Sequence, residues 1–298
     1  MESLPHKNRV LVGLIGANIM NSLSPTLFSE AFAAAGIDGF YHLMDVDHLP
    51  GRPLADLLDA ARTAGFAGVN ITYPFKQEVM ALLDVVNPGA REVGAVNTVA
   101  FGSDGRKTGY NFDRLGFRRS FEDGLRRDRA TGATAVLVGA GGAGHAVAFA
   151  LMDLGVSLLL IHDRDPSRAS ALETALTKSY GRSRCRIGSD LAADISAADG
   201  VVNATQVGMR GFPGNPIPVS VLKPVHWAAD VIYTPLETEF IKAAAAKGAR
   251  VLNGGGMCVH QAAEAFRLFT GVEPDAARLQ RAFAEAVAIR DAAWALSA

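Results

Sequence analysis

The sequence predicts an α/β protein of two domains, the second built on a doubly wound parallel sheet. Three observations carry the prediction. From Thr134 onward, short apolar runs alternate with helical stretches, as in successive βαβ units. One of these runs, Ala135 to Val138, passes at once into a glycine-rich turn, Gly139-Ala-Gly141-Gly142-Ala143-Gly144, that opens a helix. The chain of 298 residues exceeds one ordinary domain, and the part before the apolar run carries strands and helices of its own.

The elements follow in order. Val10 to Ile15 reads as a buried strand, and a loop holding Ser22 and Ser24 leads into a helix that ends before Gly36. Ser24 suits an N-cap and Pro25 the first helical position; two hydroxyls at a helix entrance also suit a polyol acid. Phe40 to Val46 is a second strand and Leu54 to Thr63 a helix stopped at Gly65. The stretch from Gly68 through Asn70, Thr72 and Pro74 is a strand breaking into a turn, after which Lys76 opens a helix from Gln77 to Leu83. A cation there opposes the helix dipole, and such a local conflict points to function. Asn97 stands at the start of the next strand, Ser103 to Lys107 forms a hairpin turn, and Asn111 and Asp113 follow. Asp113 suits the N-cap of a connecting helix from Arg114 to Leu125.

In the second half, strands are expected at 135–138, 156–161, 184–187, 199–202, 227–231 and 249–252, with helices at 143–153, 167–179 and 190–196. Strand, glycine turn and helix form the context of a dinucleotide-binding fingerprint: Gly139 turns the chain, Gly141 admits a pyrophosphate, and Gly144 lets the helix sit close to the sheet. Asp163 closes the second strand about 20 residues on, where such sites carry an acid. Asn203, Thr205, Val207, Gly208 and Met209 form a turn at a strand's carboxyl end, as do Val231 and Tyr233 at the next, and ligands of parallel sheets bind at those ends. Thr238 to Lys247 is a helix, Asn253 to Met257 a flexible turn that includes Gly254, and a helix from His260 to Phe269 carries Gln261 toward a cleft. His260 itself reads as a solvated or satisfied neighbour. A last amphipathic helix, Ala276 to Leu296, packs on the first domain or at a dimer interface.

Composition narrows the function. Lys and Arg total 29 against 30 Asp and Glu, so no basic excess suggests nucleic acid. The two cysteines lie far apart and the seven histidines form no ligand-spaced cluster, which argues against a disulfide framework or a metal site. The start of the chain is polar and contains Pro5, the apolar run after it is too short for a signal peptide, and no window reaches the length of a membrane helix. These features predict a cytoplasmic protein with no membrane partner; the two possible placements of the last helix correspond to a monomer or a homodimer.

Taken together, the motifs resemble the shikimate/quinate dehydrogenase family over nearly the whole chain. They run from Ser22-Leu-Ser24-Pro through Asn70-Ile-Thr72-Tyr-Pro-Phe-Lys76, Gly94-Ala-Val-Asn97-Thr and Gly109-Tyr-Asn111-Phe-Asp113 to the glycine turn. Beyond it come Asn203-Ala-Thr205-Gln-Val207-Gly208-Met209 and Gly256-Met257-Cys-Val-His-Gln261. The resemblance implies an N-terminal three-layer α/β substrate domain (1–113 with 256–298) and a C-terminal Rossmann NAD(P)-binding domain (114–255). It implies a cyclic polyol carboxylate as substrate and hydride transfer to C4 of a nicotinamide. It makes Lys76 and Asp113 the catalytic pair. Ser22 and Ser24 then bind the carboxylate, with Thr72, Asn97, Asn111 and Gln261 on ring hydroxyls, Asn70 among the substrate-binding residues and Tyr233 close by. Gly139, Gly141, Gly142, Ala143, Gly144, Asp163, Arg164, Asn203, Thr205, Val207, Gly208, Met209, Val231, Gly254 and Met257 line the cofactor. The chemistry fits, since a positioned lysine oriented by an acid can exchange the hydroxyl proton as hydride moves.

The chain departs from the family pattern in places. Phe112 stands where the family usually has Thr, and Phe28-Ser29 where it often has His-Asn. Phe112 either reshapes the substrate site, which would suit a modified ring acid such as an aminoshikimate, or turns into the core. In the cofactor strand, His162-Asp163-Arg164-Asp165 replaces the Asn-Arg-Thr typical of NADP members. Asp163 suits the ribose hydroxyls of NAD and repels a 2′-phosphate, which makes NAD the expected cofactor over NADP. Arg164 stacks on adenine or stays solvated. A non-catalytic NAD-binding regulator is the alternative from another class, and the intact Lys76 and Asp113 argue against it.

Overall fold

The computed structural model describes residues 9–296, so the polar start with Pro5 lies outside the described residues. Two compact units divide the chain. One takes the described residues through Arg91, Val96–Phe112 and Gln261 onward; the other takes Glu92–Ala95 and Asp113–His260.

The first unit holds a six-stranded sheet. Its strands are β1 (Arg9–Gly16), β2 (Asp38–Asp45), β3 (Phe66–Ile71), β4 (Val85–Val86), β5 (Thr98–Phe101) and β6 (Lys107–Tyr110), in the order β2-β1-β3-β5-β6-β4. β1 is parallel to β2 and β3, whereas β3/β5 and β5/β6 are antiparallel. Helices α1 (Ser24–Ala35) and α2 (Leu54–Thr63) come first, and α3 (Pro88–Val93) follows β4. Alternation along the strands divides the two faces. Ile15, Val69, Ile71 and Val99 bury against Leu54, Leu57 and Leu58 of α2. On the other face Phe28 packs against Tyr41, Phe32, Phe266 and Phe269, with ring centroids 4.5 to 6.2 Å apart. Gly68 leaves room there for Phe269, whose ring a Cβ would meet at 2.3 Å. The unit therefore has three layers.

The second unit is wound on both faces of an all-parallel sheet. Its strands are β7 (Thr134–Val138), β8 (Leu158–His162), β9 (Cys185–Ile187), β10 (Gly200–Asn203), β11 (Trp227–Asp230) and β12 (Arg250–Leu252), in the order β12-β11-β10-β7-β8-β9. Helices α4 (Asp113–Gly124), α5 (Gly142–Leu154) and α6 (Pro166–Tyr180) cover one face through Phe117, Phe121, Phe149, Leu172 and Leu176. Helices α7 (Leu191–Ala197) and α8 (Glu239–Ala246) cover the other through Ile195, Phe240 and Ile241. The strand order reverses between β7 and β10, so the turns after these two strands share the switch point where such sheets bind ligands. The chain ends with α9 (Gly255–Thr270) and α10 (Ala276–Leu296). The last of these packs on α1, with Arg278 Nε 3.0 Å from Glu30 Oε2.

Three local expectations need correction. The helix expected at 77–83 is a five-residue 3-10 helix, Glu78–Leu82, and Lys76 lies in the turn before it. The dipole conflict at Lys76 is accordingly weaker than a full α-helix would make it. Ser24 does not cap α1. Leu23 holds the cap position without a side-chain bond, and the Ser22 hydroxyl instead accepts the Ser24 N–H at 3.2 Å. The stretch 253–257 is not a flexible turn, because α9 already begins at Gly255, whose N–H the Asn253 side chain accepts at 3.1 Å. Gly254 serves close packing: a Cβ there would stand 2.1 Å from the Val231 carbonyl oxygen.

The same packing logic separates two glycines of the β7 turn. A Cβ on Gly144 would lie 2.0 Å from the Gly139 carbonyl oxygen, a backbone atom that cannot step aside. A Cβ on Gly141, whose φ is −79°, would meet nothing within 4 Å. Gly144→Ala is therefore expected to cost about 1–3 kcal/mol in urea unfolding, and Gly141→Ala less than about 0.5 kcal/mol. Equal losses at the two positions would contradict this assignment.

Candidate active site

In the first unit the topology brings the singled-out polar residues to one sheet edge. β1, β3 and β6 end there and β5 begins there. Ser22 follows β1 in a loop fixed by the buried Asp45, whose carboxylate accepts the N–H of Ile19 at 2.9 Å and of Asp47 at 3.1 Å, and Ser24 opens α1. Thr72 and Lys76 follow β3. Lys76 is half-buried, and its carbonyl accepts the Val96 N–H at 2.7 Å. Asn111 follows β6 and is half-buried.

Asn97 is the hub of this edge. Its carbonyl accepts the Ile71 N–H at 2.8 Å and its N–H donates to the Tyr110 carbonyl at 3.0 Å. Its Oδ1 accepts from the Phe112 N–H at 2.9 Å and the Thr98 hydroxyl at 3.0 Å. Two donors thus fix the amide's orientation and turn Nδ2 toward Gln261 Oε1 at 3.5 Å. Asn70 stands behind it, 5% exposed. Asn70 accepts from the Tyr41 hydroxyl at 3.0 Å and donates to Thr98 Oγ1 at 3.0 Å and the Asn97 carbonyl at 3.4 Å. Buried amides need such partners, and those of Asn70 come from within the fold. Tyr41 escapes a motif-based reading, because it is an ordinary strand residue until the cross-strand register is known, and Thr98 stands in a motif without a role of its own there. Phe112 turns its ring onto Tyr110, with centroids 5.9 Å apart and planes within 13°. Phe28 lies in the aromatic layer at 1% exposure.

In the second unit the cofactor-type residues share the carboxyl edge of the parallel sheet. The turn after β7 leads into α5, which has no side-chain cap, so its first amides and the open space at Gly141 suit a pyrophosphate. Gly139, at φ 103°, abuts Ala204 of the turn after β10. Asp163, at the end of β8, accepts the Ala140 N–H on one oxygen at 2.6 Å and the Asp165 N–H on the other at 2.8 Å. Asp165 caps α6, and the Ser167 hydroxyl and amide hold its carboxyl below the usual range. Arg164 is exposed.

Asn203 is fully buried and fixes the shape of the turn that carries Val207, Gly208 and Met209. Its Oδ1 accepts from the Thr205 N–H and hydroxyl at 3.0 and 2.7 Å, while its Nδ2 donates to the Val207 carbonyl at 3.1 Å and to Asp230. Asp230 also accepts the Ile232 N–H at 3.0 Å and the Thr238 hydroxyl at 2.8 Å, just ahead of Tyr233. Asp230 and Thr238 were not legible as site residues, since only the fold brings β10, β11 and the start of α8 together. Val231 lies half-exposed at the end of β11, Gly254 packs on it, and Met257 is buried in the first turn of α9. His260 Nε2 is 3.0 Å from Asp123 Oδ2.

Among the described residues, no cluster of three or more metal-ligating side chains occurs and no helix is long and apolar enough to cross a membrane. A parallel sheet with a glycine turn and an uncapped helix at its switch point, joined in one chain to a mixed sheet with a polar edge, defines a two-domain oxidoreductase of the dinucleotide-binding class. The chain belongs to the shikimate dehydrogenase family. Residues 14–99 match the shikimate dehydrogenase substrate binding domain, and residues 254–282 the shikimate 5'-dehydrogenase C-terminal domain. The chain is 48% identical to a quinate/shikimate dehydrogenase (NAD(+)) of Corynebacterium efficiens, over 92% of this chain and 97% of that one. It is 47% identical to a shikimate dehydrogenase (NADP(+)) of Streptomyces avermitilis, over 92% and 95%. The solved quinate dehydrogenase from Corynebacterium glutamicum in complex with NAD superposes with a TM-score of 0.86 at 44% identity, covering 93% of this chain and all (100%) of that one.

Burial pushes the Asp230 carboxyl up to about 6 against its hydrogen bonds. The folded state then holds this proton more tightly than the unfolded chain, so the contribution of Asp230 to stability is full below about pH 4 and declines as pH rises to about 6. The unfolding free energy of the wild type, taken relative to Asp230→Asn, should fall by on the order of 3 kcal/mol across that window and then level. A difference that stays flat from pH 4 to 7 would show an ordinary carboxyl at this position.

Proposed function

We propose that the protein is an NAD-preferring dehydrogenase that interconverts shikimate and 3-dehydroshikimate, and also quinate and 3-dehydroquinate. The first unit takes the ring acid and the second the dinucleotide. The observation that carries this reading is the pre-set polar edge around Asn97, in the segment whose motifs and family match concern the substrate domain. A polyol ring needs donors and acceptors of fixed orientation, and the amides of Asn97 and Gln261 supply them together with Thr72 and Asn111. Ser22 and Ser24 receive the carboxylate. Asn70 acts from behind, by holding Thr98 and Asn97.

When bound, NAD supplies the hydride acceptor at its nicotinamide. Lys76 Nζ takes the proton of the reacting hydroxyl as the carbon loses hydride, and returns it to the carbonyl oxygen in the reverse direction. Asp113 serves as the second member of the catalytic pair. Positioned acid-base catalysis of this kind contributes roughly 10²–10⁴ in rate. Asp163 sets the cofactor preference, because its carboxylate meets the ribose hydroxyls and opposes a 2′-phosphate. We place the enzyme in the cytoplasm, in keeping with two free, buried cysteines.

Initial rates with shikimate and quinate, each with NAD⁺ and NADP⁺, test the reaction, and turnover of neither acid would overturn it. Lys76→Ala is expected to lower kcat by roughly 10²–10⁴ with little change in NAD affinity. Unchanged turnover would remove the lysine from the chemistry. Asp163→Ser keeps an acceptor for the Ala140 amide but loses the charge, and should reduce the NAD⁺ to NADP⁺ ratio of kcat/KM by about tenfold or more. An unaltered ratio would place cofactor choice elsewhere.

A further inference from the structure

Arg114 is an unexpected residue in the first turn of α4. A cation there opposes the helix dipole, and an acid or a small polar residue would serve the helix better. The structure nevertheless surrounds this side chain with partners. Its Nε and Nη2 bind the two oxygens of Asp153 at 2.7 Å each, a side-on fork. Its Nη1 binds Glu92 Oε2 at 2.6 Å. Nη2 also donates to the Tyr180 hydroxyl at 2.9 Å, and that hydroxyl donates onward to Asp153 Oδ1 at 3.0 Å. The guanidinium lies 5.2 Å from the centroid of the Phe149 ring. Glu92 belongs to α3, Phe149 and Asp153 to α5, and Tyr180 ends α6. The guanidinium side chain is only 20% exposed, so solvent screens the cluster weakly.

We propose that Arg114 is a positioning residue for Asp113. Its cluster clamps the first turn of α4 to α5 and α6, and so holds the neighbouring carboxylate in one place. The inference rests on the reading of Asp113 as the catalytic acid. Asp113 is the first residue of α4, and helix ends are where local opening begins. It is also buried, at 4% exposure, so a displaced carboxylate has few alternative sites. A shift of about 1 Å in a catalytic group costs roughly 10²-fold in rate. Lysine cannot replace arginine in the clamp, because it lacks the planar fork that engages both oxygens of Asp153.

The test is a double-mutant cycle on the intact enzyme, with shikimate or quinate and NAD⁺. Arg114→Met should lower kcat roughly 10- to 100-fold while the KM for NAD⁺ stays within about twofold. Arg114→Lys should recover only part of the loss, and Tyr180→Phe should lower kcat a few-fold. The deciding measurement is made in an Asp113→Asn background. If Arg114 acts through Asp113, Arg114→Met there changes kcat no further; a general structural role gives the same fractional loss in both backgrounds. Should Arg114→Met fail to fold, Arg114→Lys and Tyr180→Phe carry the same cycle. Wild-type kcat in the Arg114 variants, or additive losses, would overturn the clamp while the low activity of Asp113→Asn left the catalytic reading in place. Full activity in Asp113→Asn, or no turnover of either acid by the wild type, would instead overturn the catalytic reading and the clamp with it.

Discussion

The amide of Asn97 is the constraint on which the substrate-type edge depends. Its main chain joins β3 to β6, and its side chain joins the segment after β6 to α9 through Phe112 and Gln261. Because Oδ1 is committed to two donors, the amide cannot flip, and the face it presents is a donor. Tyr41, Asn70 and Thr98 exist in this arrangement to keep that commitment. A buried amide with a missing partner would cost about 1–3 kcal/mol, which is enough to keep the relay intact across ordinary fluctuations.

The second unit solves the same problem with the same residue type. Asn203 ends β10, is fully buried, and has its donors and acceptor committed to the turn that follows and to Asp230. Both asparagines therefore shape strand-end loops from inside. The loops carry the groups that meet ligands, and the amides make the loops single-valued. Rigid support of this kind is what an oriented hydride transfer requires.

Much of this was legible in advance where a pattern is local. The glycine turn, the parallel sheet of the second unit and the polar strand ends follow from periodicity and turn chemistry. The failures have physical causes. Gly254 reads as part of a flexible turn in sequence, but only the approach of the Val231 carbonyl reveals that it is a packing glycine at the head of α9. β4 has two residues and pairs only with β6, too short to leave a periodic trace. On sequence alone Phe112 either reshapes the site or turns into the core; in the fold its half-buried ring stacks on Tyr110. Asn70 and Asn203 carry the residue type of a ligand contact, and only the fold shows that their amides are also bound from within it.

Asp163 has a consequence for how such a protein can change over evolutionary time. Its carboxylate stitches the Ala140 amide of the glycine turn to the Asp165 amide, so the residue has a mechanical duty whatever it does for a ligand. A lineage that drifts toward a different nucleotide cannot simply discard it. Replacement by an apolar side chain would strand two backbone donors at once, and the intermediate would be selected against for instability before any new preference became useful. The open route passes through residues that keep a short oxygen acceptor, with Asp165 exchanged separately for another helix cap. The genetic path between nucleotide preferences is thereby narrowed to a few ordered steps.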